Sequence, residues 1–234
     1  KCLTAEEEVS PYHDLFNEFN DLNKNVFIVG TLHSMLAPLA SMMKWLNPEL
    51  KINYLMTDGG ALPLQFSNTV KELKEKNIID KTITIGHAFG GDLECVNIYT
   101  GLIASKEILD SDVTIIAMGP GIVGTGTKYG FSGVEQGNII DAVNNLNGTP
   151  FIVPRISFKD SRERHRGISH QTLTVLTKIC NTNGKLIIPK LSDDKDELIS
   201  KQLLDNKLFD RYEIIRESGT DIVDALNYFD LNIT

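Results

Sequence analysis

The sequence predicts a three-layer, doubly wound α/β fold built on a mainly parallel sheet. Three observations carry that expectation. Short β-branched runs alternate with helix-period segments along the chain. The strand runs are nearly continuous in apolar residues, as strands covered on both faces are. The length, 234 residues, suits one such core better than a (β/α)₈ barrel, which takes roughly 250 residues and eight regular units. The expected layering is Rossmann-like. Residues 1–234 read as a single domain, with a lead-in over 1–24 and a C-terminal extension over 192–234.

Taken in order, Ser10-Pro11 opens a helix with proline at its first position. Residues 25–30 (NVFIVG) are the first strand. Residues 34–46 form a helix, with Pro38 tolerated near the first turn. Residues 52–57 (INYLMT) are the second strand, and a helix through Phe66, Val70 and Leu73 follows. The third strand is 82–86 (TITIG). Leu93, Val96, Leu102 and Ile103 then give a helical stripe. Residues 113–118 (VTIIAM) are the fourth strand, with a helix over 134–146 behind it. A fifth strand covers 151–153, Leu173, Leu176 and Ile179 mark a helix, and 186–188 is a sixth strand. The tail adds a helix over 198–204, a strand at 212–215 and a helix from Asp221.

Composition narrows the class. Hydrophobic residues are 41% and charged residues 23%, as in ordinary globular proteins. Lys and Arg total 23 against 31 Asp and Glu, a net charge of −8, which argues against nucleic acid or an anionic membrane as partner. Cys2, Cys95 and Cys180 are too few and too scattered for a disulfide framework or a cysteine-only zinc site. No apolar run approaches the ~20 residues of a membrane span. The opening KCLTAEEEVS is acidic and is no signal peptide, and it reads as the start of a truncated piece. Two Asn-x-Thr sequons, at Asn147 and Asn232, read as chance. A cytoplasmic protein is the expectation, and a homo-oligomer stays open.

The connections hold the functional signal. Helix-to-strand loops (LNPELK, KEKNIIDK, ILDSD, NLNGTP, CNTNGK) are ordinary turn chemistry. Strand-to-helix loops contain four of the five histidines, His33, His87, His165 and His170, together with Asp58, Asp92 and much of the glycine. In a parallel sheet these loops emerge at the carboxyl edge, where doubly wound folds bind ligands. If they build one site, His33, Asp58, His87, Gly121 and Arg155 border one cavity.

Each loop has a plain reading beside its functional one. Gly119-Pro120-Gly121-Ile122-Val123-Gly124 follows a strand and has the G-x-G-x-x-G spacing. Further glycines replace the helix that a dinucleotide fold opens there, so a dinucleotide is disfavoured. Backbone N–H groups of Gly119, Gly121, Gly124 and Gly126, with the hydroxyls of Thr125 and Thr127, suit an anion. Equally, the glycines merely permit an irregular loop. In His87-Ala-Phe-Gly-Gly-Asp92-Leu-Glu94, Asp92 is a helix cap by its plain reading and Glu94 follows on that helix. His87 is explained by neither and reads as a base or metal ligand. Asp58-Gly59-Gly60 is an Asx turn or a ligand carboxylate. His33 precedes a helix capped by Ser34, which favours neutral imidazole. The 155–167 loop holds Arg155, Lys159, Arg162, Arg164 and Arg166 against Asp160 and Glu163, so it is +3 and the rest of the chain −11. It is a mobile solvated loop or an arginine clamp on an anion. His165 and His170, five residues apart, share no helix face. Cys95 reads as a packed thiol just inside a helix.

The runs HSMLAPLA, MTDGGALPL, GHAFGGDLECVNIYTGL, MGPGIVGTGTKYGFSGVEQG and PRISFKDSRERHRGISHQTL resemble the bacterial domain-of-unknown-function family 3866. The resemblance spans about residues 6–191 and weakens in the tail. It implies a bacterial, cytoplasmic protein with a small β-rich segment ahead of this region. That family has no established activity, so no residue role carries over.

Two functional readings result. One is an enzyme acting on a small anionic metabolite by acid–base or metal-assisted chemistry, with His87, Asp92, Glu94, Asp58, His165 and His170 reactive. The glycine loop, His33 and Arg155 would then hold the ligand, and a divalent metal stays open. The other is a non-catalytic nucleotide- or metabolite-binding module in the same crevice.

Overall fold

Runs that are apolar on both faces become the central strands. This computed structural model describes residues 3–231, so Cys2 and Asn232 lie outside the described residues. The chain begins α1 (His13–Asn17), β1 (Val26–Val29), α2 (Leu36–Leu46), β2 (Ile52–Thr57), α3 (Asn68–Glu75), β3 (Lys81–Ile85), β4 (Leu93–Cys95) and α4 (Ile98–Glu107). It continues β5 (Val113–Met118), α5 (Glu135–Asn145), β6 (Thr149–Ile152), β7 (Ile156–Ser157), β8 (Gly167–Ile168) and α6 (His170–Thr174). It closes with β9 (Gly184–Pro189), α7 (Asp193–Asp205), β10 (Tyr212–Glu217) and α8 (Ile222–Tyr228).

Eight parallel strands lie in the order β10-β9-β6-β1-β5-β2-β3-β4, and β7 and β8 form a separate antiparallel hairpin. All six residues of β2 are buried, because helices cover both faces. On one face Leu36, Ala40, Val70 and Leu73 of α2 and α3 pack on Tyr54, Met56 and Ile115. On the other, Leu102 of α4, Ile140 and Val143 of α5, and Leu203 of α7 meet Phe27, Val29, Leu55 and Ile116. Each such fully buried aliphatic or aromatic side chain contributes about 1.5–3 kcal/mol. The tail beyond residue 191 joins this architecture. Its strand β10 extends the sheet beside β9 and its helix α8 packs on α2, through Leu226 and Phe229 in the α2–α3 core. Among the described residues no helix is long and apolar enough to cross a membrane.

The winding places a crevice. Neighbours β1 and β5 send their following helices, α2 and α5, to opposite faces of the sheet. Their carboxyl ends are therefore the topological switch point.

Several local expectations are corrected. The stripe from Leu93 to Ile103 is not one helix: Leu93–Cys95 is the edge strand β4 and α4 starts at Ile98. Cys95 is buried at the end of that strand. Asn97, not Asp92, caps α4, accepting from the Tyr99 and Thr100 amides. Gly101 serves packing: a Cβ there would stand 2.8 Å from Leu55 Cδ1 and 2.9 Å from Ile85 Cγ2, so only glycine lets α4 lie on the sheet. Ser34 sits in a 3₁₀ turn ahead of α2 and makes no cap hydrogen bond. The Ser10-Pro11 helix begins only at His13.

Candidate anion site at the carboxyl edge

After β6 the chain makes the β7–β8 hairpin and enters α6 at His170, with a 3₁₀ turn at Glu163–His165 between the two short strands. This excursion, which is not helical, brings His165 and His170 together although no helix could; their ring centroids are 5.0 Å apart. A cavity of about 280 Å³ opens here. Arg155, Arg162, Arg164, His165, His170 and Gln171 line it together with Gly124, Gly126, Ile122 and Val123.

The lining holds three guanidiniums and no carboxylate. Asp160 stands outside it and binds Arg162 in a two-point pair at 2.9 and 2.8 Å, with Arg155 at 3.4 Å. The Arg162 hydrogen bonds hold the Asp160 carboxyl well below the usual carboxylate range. Arg164 makes no ion pair or hydrogen bond among the described residues, and its guanidinium lies beside Gly126. His165 is only 3% exposed. Burial, then Arg155 and Arg162, lower its pKa; burial, then Arg164 and the same two arginines, lower that of His170. His165 Nδ1 is 2.7 Å from the Ser169 hydroxyl, which also accepts the Gln171 amide.

The glycine loop divides the expected site. Its later part, Gly124 and Gly126, faces the arginine cavity, and its start, Gly119 and Gly121, faces a second cavity of about 460 Å³. His33, Ser34, Asn68, Thr69 and Glu72 also line this second cavity, which is at the switch point, and Ile122 borders both. The Thr125 and Thr127 hydroxyls do not line either. They bond each other at 2.9 Å and close the 125–130 turn through Gly130. His33 is spent on structure at both nitrogens, with Nε2 2.7 Å from the Ser67 hydroxyl and Nδ1 3.3 Å from that of Tyr54. Burial lowers its pKa, as neutral imidazole there requires.

Asp58 and His87 border neither cavity. Asp58 Oδ2 accepts the His87 amide at 3.2 Å, a tie between two loops and not the local Asx turn expected. The exposed His87 ring makes no hydrogen bond among the described residues. Replacing His87 with glutamine is therefore expected to change stability by less than about 0.5 kcal/mol, as surface substitutions do. A larger loss in chemical denaturation would show a partner for the ring. Asp92 accepts from Lys74 and from the Thr82 amide and hydroxyl, and Glu94 accepts the Gly90 amide at 2.7 Å. These carboxylates fasten the short β3–β4 connection. The five residues expected around one cavity are thus divided: His33 and Gly121 in one, Arg155 in the other, Asp58 and His87 in neither.

One titratable group was not singled out by the sequence. Glu135, first residue of α5, receives a hydrogen bond from the Thr57 hydroxyl at the end of β2. Burial pushes its pKa up to about 7; the Thr57 bond opposes this and the Asp58 charge adds to it. A carboxylate just after a carboxyl-edge loop is the signal that could have found it. Gln171 was likewise missed, since it follows the flagged His170 by one residue on α6. Among the described residues no group of three or more His, Cys, Asp or Glu is placed to hold a metal ion.

No curated protein matches the chain. The family match does run further than the motifs suggested, through the tail beyond Leu191. The profile described as Protein of unknown function (DUF3866) matches residues 1–234, and the chain belongs to that family.

Proposed function

We propose that this protein binds a small anionic metabolite through its charged end in the arginine cavity. One observation carries the reading: three guanidiniums and two imidazoles line a cavity that no carboxylate lines, in a chain of net charge −8. Asp160 offsets one of these guanidiniums; the positive charge left over is unfavourable without an anion, and arginine forks match phosphate and carboxylate oxygens. The neighbouring switch-point cavity offers Ser34, Asn68, Thr69 and Glu72 to an uncharged polar body. The full set of loop acids and bases does not converge, which favours binding over acid–base catalysis by that set. An enzyme built on this site would draw its acid–base groups from His165 and His170.

Phosphate, sulfate or a nucleotide is expected to raise the melting temperature, because ligands that bind only the native state stabilise it. Arg164→Ala should leave the unliganded protein within about 0.5 kcal/mol of the parent, since Arg164 is exposed and unpaired among the described residues. It should weaken anion binding by roughly 10–100-fold, the loss of one charge-assisted bond of about 1.5–3 kcal/mol. A panel of anions that shifts neither protein defeats the proposal.

A further inference from the structure

We propose, resting on the anion-binding reading, that the arginine cavity takes a doubly charged phosphoryl group rather than a carboxylate, with the His165–His170 pair taking up a proton as the dianion enters. The charge count comes first. Arg155, Arg162 and Arg164 line the cavity and Asp160 behind them offsets one, which leaves two positive charges before either histidine is counted. A single carboxylate leaves that excess unbalanced, and a dianion matches it.

The histidines supply the second argument. Their rings lie 5.0 Å apart inside the same lining. His165 is pinned through Nδ1 to Ser169, and its Nε2 has no partner among the described residues. His170 Nε2 is shut off from solvent and also has no partner there. Arg155, Arg162 and Arg164 oppose a proton on one or both rings, His170 opposes one on His165, and Asp160 alone favours one on His165. The 132–134 turn packed against α6 brings Ser, Gly and Val, and so no charge; the 163–165 turn adds exposed Glu163 beside Arg164, and the 175–179 segment adds exposed Lys178. A dianion in the cavity cancels the positive charge of its lining. Binding then favours the imidazolium, and by linkage the imidazolium favours binding.

Sulfate is the probe, because it stays a dianion across the range in which histidine titrates and so contributes no proton of its own. Calorimetric titrations between about pH 6 and 8, in two buffers of unequal ionisation heat, give both affinity and proton count. Sulfate affinity is expected to fall with rising pH, by up to about tenfold per pH unit for one linked proton. Uptake should approach one proton, and acetate should bind at least about tenfold more weakly than sulfate. His170→Asn should flatten the pH dependence while sulfate still binds; if that variant fails to fold, the proton count of the parent protein decides alone. Sulfate binding without proton uptake, or acetate binding as tightly as sulfate, overturns this inference and leaves the anion cavity standing. Failure of sulfate, phosphate and acetate all to bind overturns both.

Discussion

Glu135→Gln is expected to stabilise the protein at pH 8 by about 2–3 kcal/mol and to leave it nearly unchanged at about pH 4. The folded protein raises this carboxyl from its ordinary 4.5 to about 7, mainly by burial. Between those two values the native state binds the proton more tightly than the unfolded chain does. Stability therefore falls as pH rises through this window. Below it both states are protonated and nothing is lost; above it both are ionised and the full cost of a buried carboxylate is present. A shift of this size corresponds to roughly 3 kcal/mol at about 1.4 kcal/mol per pKa unit, which sets the upper bound. Glutamine keeps an oxygen to accept the Thr57 hydroxyl and carries no charge to bury. Denaturation midpoints of both proteins across the window measure the difference. A gap that stays constant with pH means that Glu135 does not titrate there.

The sheet was legible in the sequence because its strands are long apolar runs whose burial leaves little choice of layer. The edge strand β4 was not. It is three residues long, and Leu93 and Val96 imitate the start of a helix continued by the real apolar positions of α4. Its link to β3, residues 86–92, is also shorter than the ten or more residues that join most parallel neighbours. Nothing in local propensity announces such a turn; it depends on Asp92 reaching back to Thr82. For the candidate cavities the edge was legible, because connection chemistry differs between the two ends of a parallel sheet and these loops line them. Which loops meet was not legible. His165 and His170 share no helix face, as their spacing said, yet a hairpin and a 3₁₀ turn bring the rings into contact. Asp92 and Glu94 looked reactive by composition, and only the fold shows their oxygens taken up by neighbouring backbone and Lys74.

Gly86→Ala is expected to destabilise the protein by about 2–4 kcal/mol, well beyond an ordinary glycine-to-alanine change. Gly86 has φ of +60°, which costs an L side chain about 1–2 kcal/mol. A Cβ there would also stand 2.3 Å from Asp58 Oδ2 and 2.6 Å from its carboxyl carbon. The carboxylate would have to leave the His87 amide that it accepts at 3.2 Å, and with it the tie between the β2 and β3 loops would go. Gly121 is the control. It too has a positive φ, +102°, but an added Cβ meets nothing within 4 Å. Gly121→Ala should therefore lose only the backbone contribution, about 1–2 kcal/mol. The excess at Gly86 then measures the contact with Asp58, and Asp58→Ala in the Gly86→Ala background should recover that part alone. Equal losses at the two glycines in urea titrations would show that Asp58 moves aside freely and does not hold the two loops together.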